Sequence, residues 1–203
     1  MANISVVIPI YNEEKSIHML IKKLMKLKAE PRIDNLEVFF INDGSKDKSL
    51  EIIRENIQAH KDFKIINLSR NYGQTAAIAA GIDNASNDII ITMDGDLQND
   101  PDDIPKLLMK LDEGFDVVSG WRKNRKDDFL TKVLPSKIAN RLISWISGVY
   151  LHDYGCTLKA YRKRVLKGLN LYGEMHRFIP ILTSWQGGKV TEIPVKHHAR
   201  KHG

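Results

Sequence analysis

Short β-branched runs alternate with amphipathic helical stripes through the first 120 residues, and this alternation leaves few folds open. Ile4–Ile10 reads as a strand broken at Pro9, followed by Ile17, Leu20, Ile21, Leu24 and Leu27 at the spacing of one buried helical face. Val38–Ile41 and Phe63–Leu68 read as further strands, with a helical stripe of Leu50, Ile53 and Ile57 between them, for which Ser45 or Asp47 offers an N-cap. The Ala-rich stretch Gln74–Asp83 reads as helix and Asp88–Met93 as strand. Pro101–Glu113 is helical with proline near its start, and Asp116–Ser119 is a fifth strand. Strands separated by helices predict an α/β fold with a mainly parallel central sheet and helices on both faces. Such sheets bind ligands at the carboxyl ends of their strands. The polar residues gather there: Tyr11, Asn12 and Glu13 after the first strand, Asp43 after the second, Asn71 and Gly73 after the third, Asp94 and Asp96 after the fourth.

The pattern changes after residue 120. Lys123–Asp128 is a charged loop. Phe129–Val149 reads as a long amphipathic helix carrying Leu130, Leu134, Ile138, Leu142, Trp145 and Val149 on one side, with a break or restart at Pro135. Asp153-Tyr-Gly-Cys156, a basic stretch containing Arg162-Lys-Arg164, a helix beginning near Glu174, a strand over Lys189–Val195 and a basic tail follow. Charge divides at the same place. Residues 1–120 hold 20 acidic and 14 basic residues, a net of −6; residues 121–203 hold 5 and 17, a net of +12. This asymmetry predicts an anionic partner for the second part: nucleic acid, membrane lipid or a phosphorylated substrate.

At 203 residues, 42% of them hydrophobic, one domain with a proper core is expected and disorder is excluded. Cys156 is the only cysteine, which fits a reducing compartment and a small packed residue better than a nucleophile. The amino terminus enters a strand at once, so no secretory leader is expected, and no apolar stretch is long enough to span a bilayer. The last residues fall inside a basic run, so a longer natural chain is expected, the given part itself soluble. His176, His197, His198 and His202 do not have metal-ligand spacing and read as basic surface residues.

Asp94-Gly-Asp96 is the sharpest chemical signal. Two carboxylates one residue apart at a strand's end form a hard-oxygen cluster suited to a divalent cation, which can in turn hold a diphosphate. Glycine-rich phosphate cradles are missing: Pro9-Ile-Tyr-Asn-Glu-Glu14 follows the first strand where a dinucleotide fold needs Gly-x-Gly-x-x-Gly, and no Walker loop occurs. That argues against NAD enzymes and P-loop kinases. Arg122, just past the fifth strand, faces the same rim and can clamp a phosphate in two-pronged fashion.

Together, Val6-Val-Ile-Pro-Ile-Tyr-Asn-Glu13, Asn42-Asp-Gly-Ser45, Arg70-Asn-Tyr-Gly73 and Asp94-Gly-Asp-Leu-Gln98 resemble the family 2 glycosyltransferases of the GT-A fold. Gly120-Trp-Arg122, Ser136-Lys-Ile-Ala-Asn-Arg141, Asp153-Tyr-Gly-Cys156 and Gly173-Glu-Met-His-Arg-Phe-Ile-Pro180 resemble the polyprenyl-phosphate group within it, which includes dolichol-phosphate mannose synthases and enzymes making undecaprenyl-phosphate glucose. The resemblance implies a single catalytic domain over residues 1–203: a nucleotide- and metal-binding part to residue 120, and a basic part facing acceptor and membrane from 121. Pro9, Tyr11, Glu13, Asp43, Asn71 and Gly73 would line the nucleotide pocket. Asp94 would contact ribose or donor sugar and take part in catalysis. Asp96 and Gln98 would bind Mg²⁺ or Mn²⁺. Arg122, Ser136, Arg177 and Arg200 would meet the acceptor phosphate, and Asp153 is the candidate base.

The implied reaction is inverting transfer from a UDP- or GDP-sugar to undecaprenyl or dolichyl phosphate at the cytoplasmic face of a membrane, with homo-oligomers possible. The resemblance also implies an anchor, either a carboxyl-terminal transmembrane segment beyond this chain or one supplied by a partner. Many sugar-acceptor relatives carry an acidic pair where this chain has Glu174-Met-His-Arg177; an acceptor that is already a phosphate anion needs little deprotonation. The alternatives are a family 2 enzyme extending a polysaccharide or lipopolysaccharide through a sugar hydroxyl, and a basic nucleic-acid-binding protein. The latter is not expected, because the basic residues lack aromatic interleaving.

Overall fold

The computed structural model describes residues 1–123 and 134–199, with backbone alone for 134–138. Seven strands form one sheet: β1 (Ala2–Ile10), β2 (Ile33–Asn42), β3 (Phe63–Asn67), β4 (Ile89–Thr92), β5 (Val117–Trp121), β6 (Lys159–Arg162) and β7 (Val190–Pro194). Their order is β3-β2-β1-β4-β6-β5-β7. All ladders are parallel except the two that β6 makes with β4 and β5. The mainly parallel sheet is as the sequence predicts; the antiparallel β6 is not foreseen. Pro9 does not break β1. It stays in register with Ile41 of β2, while pairing with β4 ends at Val7–Thr92, so no ladder bond needs the N–H that proline lacks.

The pleat of β1 sorts the core into two layers. Ile4, Val6, Ile8 and Ile10 face one side, together with Leu20 and Leu24 of α1 (Ile17–Leu27), Ile53 of α2 (Ser49–Ile57) and Leu107 and Leu111 of α4 (Ile104–Asp112). Val7 faces the other side, against Ala77 of α3 (Gln74–Asn84). A Cβ on Gly81 would stand 2.2 Å from Val7 Cγ1, so glycine is what lets α3 lie this close to the strand. Beyond β5, a third cluster of Val149, Leu151, Tyr154 and Ile181 joins α5 (Leu134–Ser147) and α6 (Ile179–Trp185) to the sheet.

α5 is described from Leu134; the part of the expected helix over residues 129–133 lies outside the described residues. Of the expected stripe, Val149 is buried in the third cluster, Leu142 and Trp145 are exposed, and the side chains of Leu130, Leu134 and Ile138 lie outside the described residues. Asn140 and Ser144 are buried, and Ile143 is half-buried against the third cluster. Small polar residues let the helix approach, and Asn140 and Ser144 bond with the His152 and Leu151 carbonyls. The helix expected near Glu174 opens as a 3-10 turn over Met175–Phe178 and continues as α6.

Candidate active site

Register brings the motif residues to one rim. Asn42 pairs with Ile10, and Met93 donates its N–H to Val7 O, so the chain leaves β1, β2 and β4 side by side at Tyr11, Asp43 and Asp94. The loop after β1 is stitched to the loop after β2: Asn12 N donates to Ser45 Oγ, Lys46 N to Asn12 Oδ1, and Glu13 N to Ser49 Oγ. Asn12 holds φ +54°, a left-handed conformation tolerable for asparagine. Asp43, 3% exposed, accepts the N–H groups of Tyr72 (2.7 Å) and Gly73 (2.9 Å), fixing the Arg70–Gly73 loop. Its carboxylate thus shapes the wall of the pocket from inside. Tyr11, Asn71 and Tyr72 remain exposed on that wall, with the Arg70 guanidinium over the Tyr72 ring.

Asp94 is partly buried and held from two sides. Gln74 Nε2, on the first turn of α3, donates to Oδ1 at 2.7 Å, and Thr157 Oγ1 donates to Oδ2. Asn99 Nδ2 donates to the same threonine hydroxyl at 2.9 Å. Burial pushes the Asp94 carboxyl above its ordinary pKa, and the neighbouring charge of Asp96 adds to the rise. Asp96 is more open. Its Oδ1 accepts the Gln98 N–H at 3.0 Å, the single hydrogen bond found for its side chain among the described residues. Leu97 between them has φ +66°, strained for a leucine, while its side chain packs on the core. No group of three His, Cys, Asp or Glu side chains surrounds a possible ion among the described residues. Asp96 and the Gln98 amide carry oxygen donors of the kind a hard divalent cation takes, and could hold one.

On the other side of Asp94 stands Arg122, just beyond β5. Its Nε and Nη2 donate to Asp153 Oδ2 at 2.7 Å and Oδ1 at 2.9 Å, and its backbone N–H donates to Oδ2 at 3.3 Å. The Asp153 side chain is 3% exposed and that of Arg122 14%. Burial opposes the arginine charge, but the Asp153 bonds and charge outweigh it and raise the pKa. β6 makes this arrangement possible. Running antiparallel, it enters the sheet from the active rim, with Lys159 opposite Thr92, and the preceding turn delivers Asp153 to Arg122 and Thr157 to Asp94.

Several buried groups were not anticipated. Lys159 is 2% exposed, and its ammonium donates to the carbonyls of Tyr154 (3.1 Å) and Cys156. His176 shares a 2.6 Å hydrogen bond with Thr75 Oγ1, and burial together with the Lys159 charge lowers its pKa to about 4. The surface reading of the histidines therefore needs correction: His176 and His197 are 4% and 9% exposed. His198 is half-exposed but paired with Asp100 at 3.0 Å, and His202 lies outside the described residues. The cues were Gln74 directly after Gly73, Thr157 after Cys156, and the alternation Leu158/Ala160 against Lys159/Tyr161, which marks a short strand.

Arg177 is 51% exposed in its side chain and pairs with Glu174 at 3.0 Å. The Ser136 side chain and Arg200 lie outside the described residues. Residues 195–199 run along the 98–103 loop: His198 N donates to Gln98 O at 3.0 Å, and Lys196 N to Asp103 Oδ2 at 2.6 Å. A cavity of about 780 Å³ lies at the opposite strand ends, beside Asp88 and Lys163; no motif residue lines it.

A profile described as "Glycosyl transferase family 2" matches residues 5–169. A dodecaprenyl-phosphate galacturonate synthase of Rhizobium johnstonii is 45% identical over 208 residues, covering 98% of this chain and 60% of that protein. An undecaprenyl-phosphate 4-deoxy-4-formamido-L-arabinose transferase of Salmonella choleraesuis is 44% identical, covering 98% and 61%. The chain thus spans about three fifths of the length of these relatives. Among solved structures, glucosyl-3-phosphoglycerate synthase of Mycobacterium tuberculosis, in complex with Mn²⁺, UDP and phosphoglyceric acid, matches with a TM-score of 0.75 at 19% identity, covering 100% of this chain and 72% of that one. The sheet, its active rim and these likenesses agree on the GT-A fold, and the chain belongs to glycosyl transferase family 2.

Proposed function

We propose that this chain is the catalytic domain of an inverting transferase that moves a sugar from a nucleoside diphosphate to a polyprenyl phosphate at the cytoplasmic face of a membrane. The observation that carries this reading is Arg122, a partly buried cation held in a two-pronged grip by Asp153 and close enough to Asp94 for their charges to influence one another. It offers a fixed anion site beside the carboxylates that serve the donor. An acceptor phosphate oxygen bonds to the anomeric carbon as the bond from that carbon to the diphosphate breaks. The electron pair leaves with the nucleoside diphosphate, and configuration inverts. Mg²⁺ or Mn²⁺, held by Asp96 and Gln98, would offset charge on the leaving diphosphate. Asp94, aimed by Gln74 and Thr157, meets the ribose or donor sugar. Pro9, Tyr11, Glu13, Asn71 and Gly73 border the nucleoside, and Asp43 shapes that wall.

The grip on Arg122 also changes the reading of Asp153. A carboxylate with both oxygens committed to a guanidinium is a poor proton acceptor, so it positions the arginine. A sugar-hydroxyl acceptor needs a base here; a phosphate does not. The two lipid-phosphate relatives support the same acceptor. Several basic residues of the second part, although at the surface, already have partners in the fold, which disfavours the nucleic-acid alternative. Arg164 pairs with Asp116, and Arg162 and Lys163 donate to backbone carbonyls. Leu142, Trp145, Ile146, Tyr150 and Trp185 expose an apolar surface suited to a bilayer interface. No helix among the described residues is long and apolar enough to cross one.

Calorimetry with UDP and GDP, with and without Mn²⁺, tests the donor site. Wild type binds one nucleotide in a Mn²⁺-dependent manner, and Asp96→Asn weakens this at least tenfold with an unchanged melting temperature, since Asp96 makes so little of the fold. Metal-independent nucleotide binding, or full affinity in D96N, would overturn the proposal.

A further inference from the structure

The proposed function leaves unused a buried cation, the ammonium of Lys159. Thr157, Lys159 and Tyr161 alternate with Leu158 and Ala160, and the latter two fill the core. A lysine 2% exposed in a strand flanked on both sides is an expensive residue unless its charge is met. Here it is met by backbone: the ammonium draws in the carbonyls of Tyr154 and Cys156. Those two residues lie inside the turn that carries Asp153 at one end and Thr157 at the other. The first aims Arg122 and the second aims Asp94.

We infer that Lys159 is a positioning residue that closes the Asp153–Thr157 turn and so sets the acceptor-phosphate arginine and the donor-side carboxylate in register with each other. The inference rests on the proposed function. Four charges, Asp94, Asp153, Arg122 and Lys159, form a balanced set around the turn. Removal of the ammonium leaves two carbonyls facing one another without a donor and unbalances the pair of carboxylates. Both anion sites loosen together, although Lys159 touches neither ligand.

Burial lowers the pKa of the Lys159 ammonium, while the carboxylates of Asp153 and Asp94 act to hold its charge. An arginine in its place stays charged throughout.

The test uses the full-length protein and two probes: UDP with Mn²⁺, and farnesyl phosphate. Lys159→Met at pH 7.5 is expected to weaken both probes tenfold or more, and Lys159→Arg, which keeps the charge, to weaken them less. Should K159M not fold, Lys159→Gln, which keeps a donor N–H without the charge, takes its place. Wild-type affinities in the folded uncharged variant, or loss of one probe alone, would overturn the inference. If wild type binds neither probe, the proposed function fails and the inference with it; if wild type binds both and the variants match it, only the inference fails.

Discussion

Asp153→Asn separates the positioning role from that of a base. The substitution keeps the shape of the side chain but leaves Arg122 facing one amide oxygen and one amide N–H, in place of two oxygens at 2.7 and 2.9 Å. Breaking a buried ion pair by removing one partner typically costs about 3–5 kcal/mol. Arg122 is 14% exposed at the rim and water can reach it, so the lower end, about 3 kcal/mol, is the expected loss. For a domain of this size that lowers the melting temperature by roughly 6–12 °C. Farnesyl phosphate binding falls at least tenfold because the arginine is no longer aimed, while Mn²⁺-dependent nucleotide binding stays within twofold. Urea denaturation gives the stability and calorimetry the affinities. The paired replacement of Arg122 by Met and Asp153 by Leu should restore much of the stability, but not the phosphate binding. If D153N were as stable as wild type and bound both probes equally well, losing only turnover, the positioning argument would be wrong and Asp153 would be the base.

Other perturbations test the frame. Glu37, 5% exposed, is pulled down to about pKa 2: burial opposes this, but bonds from Ser5, Ser86 and Lys64 outweigh it. A carboxyl depressed in the folded state stabilises above its unfolded pKa of 4.5, and that stability fades as pH falls from 4.5 toward 2. With Lys64 half in solvent, the contribution is on the order of 2 kcal/mol, so Glu37→Gln should lose that much at pH 7 and roughly half as much at pH 3 in urea titrations. Equal losses at both pH values would contradict the assignment. Gly44 has φ +68°, and a Cβ there would stand 2.5 Å from Arg70 C and Asn71 N. Gly44→Ala should destabilise by about 2 kcal/mol or more and weaken nucleotide binding, because the displaced atoms are the backbone of the pocket wall; unchanged thermal melting would refute this.

Much of the first half is legible in order along the chain. The stripes of α1 and the runs of β1 and β4 have the period of their element and one buried destination, so local pattern and tertiary role coincide. The rim could be inferred for the same reason, since a parallel sheet sends every strand end to one side. β6 is different. It is four residues long, contains a lysine and an arginine, and turns against the direction of its neighbours. No period distinguishes such a segment from a basic loop. α5 misleads in the opposite way: Leu142 and Trp145 belong to a convincing apolar stripe yet are exposed, while Asn140 and Ser144 are buried among the described side chains because their bonds and small size permit contact.

Residue types and their spacing determined the α/β class, the carboxylates at the end of β4 and the cation after β5, because each depends on chain neighbours and on a repeat of two or 3.6 residues. Tertiary structure alone decided which of those charges is free to act. Asp43, Asp94 and Asp153 look alike in the sequence, and each is committed to a partner 29 or more positions away, or in the case of Asp94 to Gln74 and Thr157. A carboxylate's chemistry follows from the donors that surround it, and those donors arrive only when the sheet brings distant turns together.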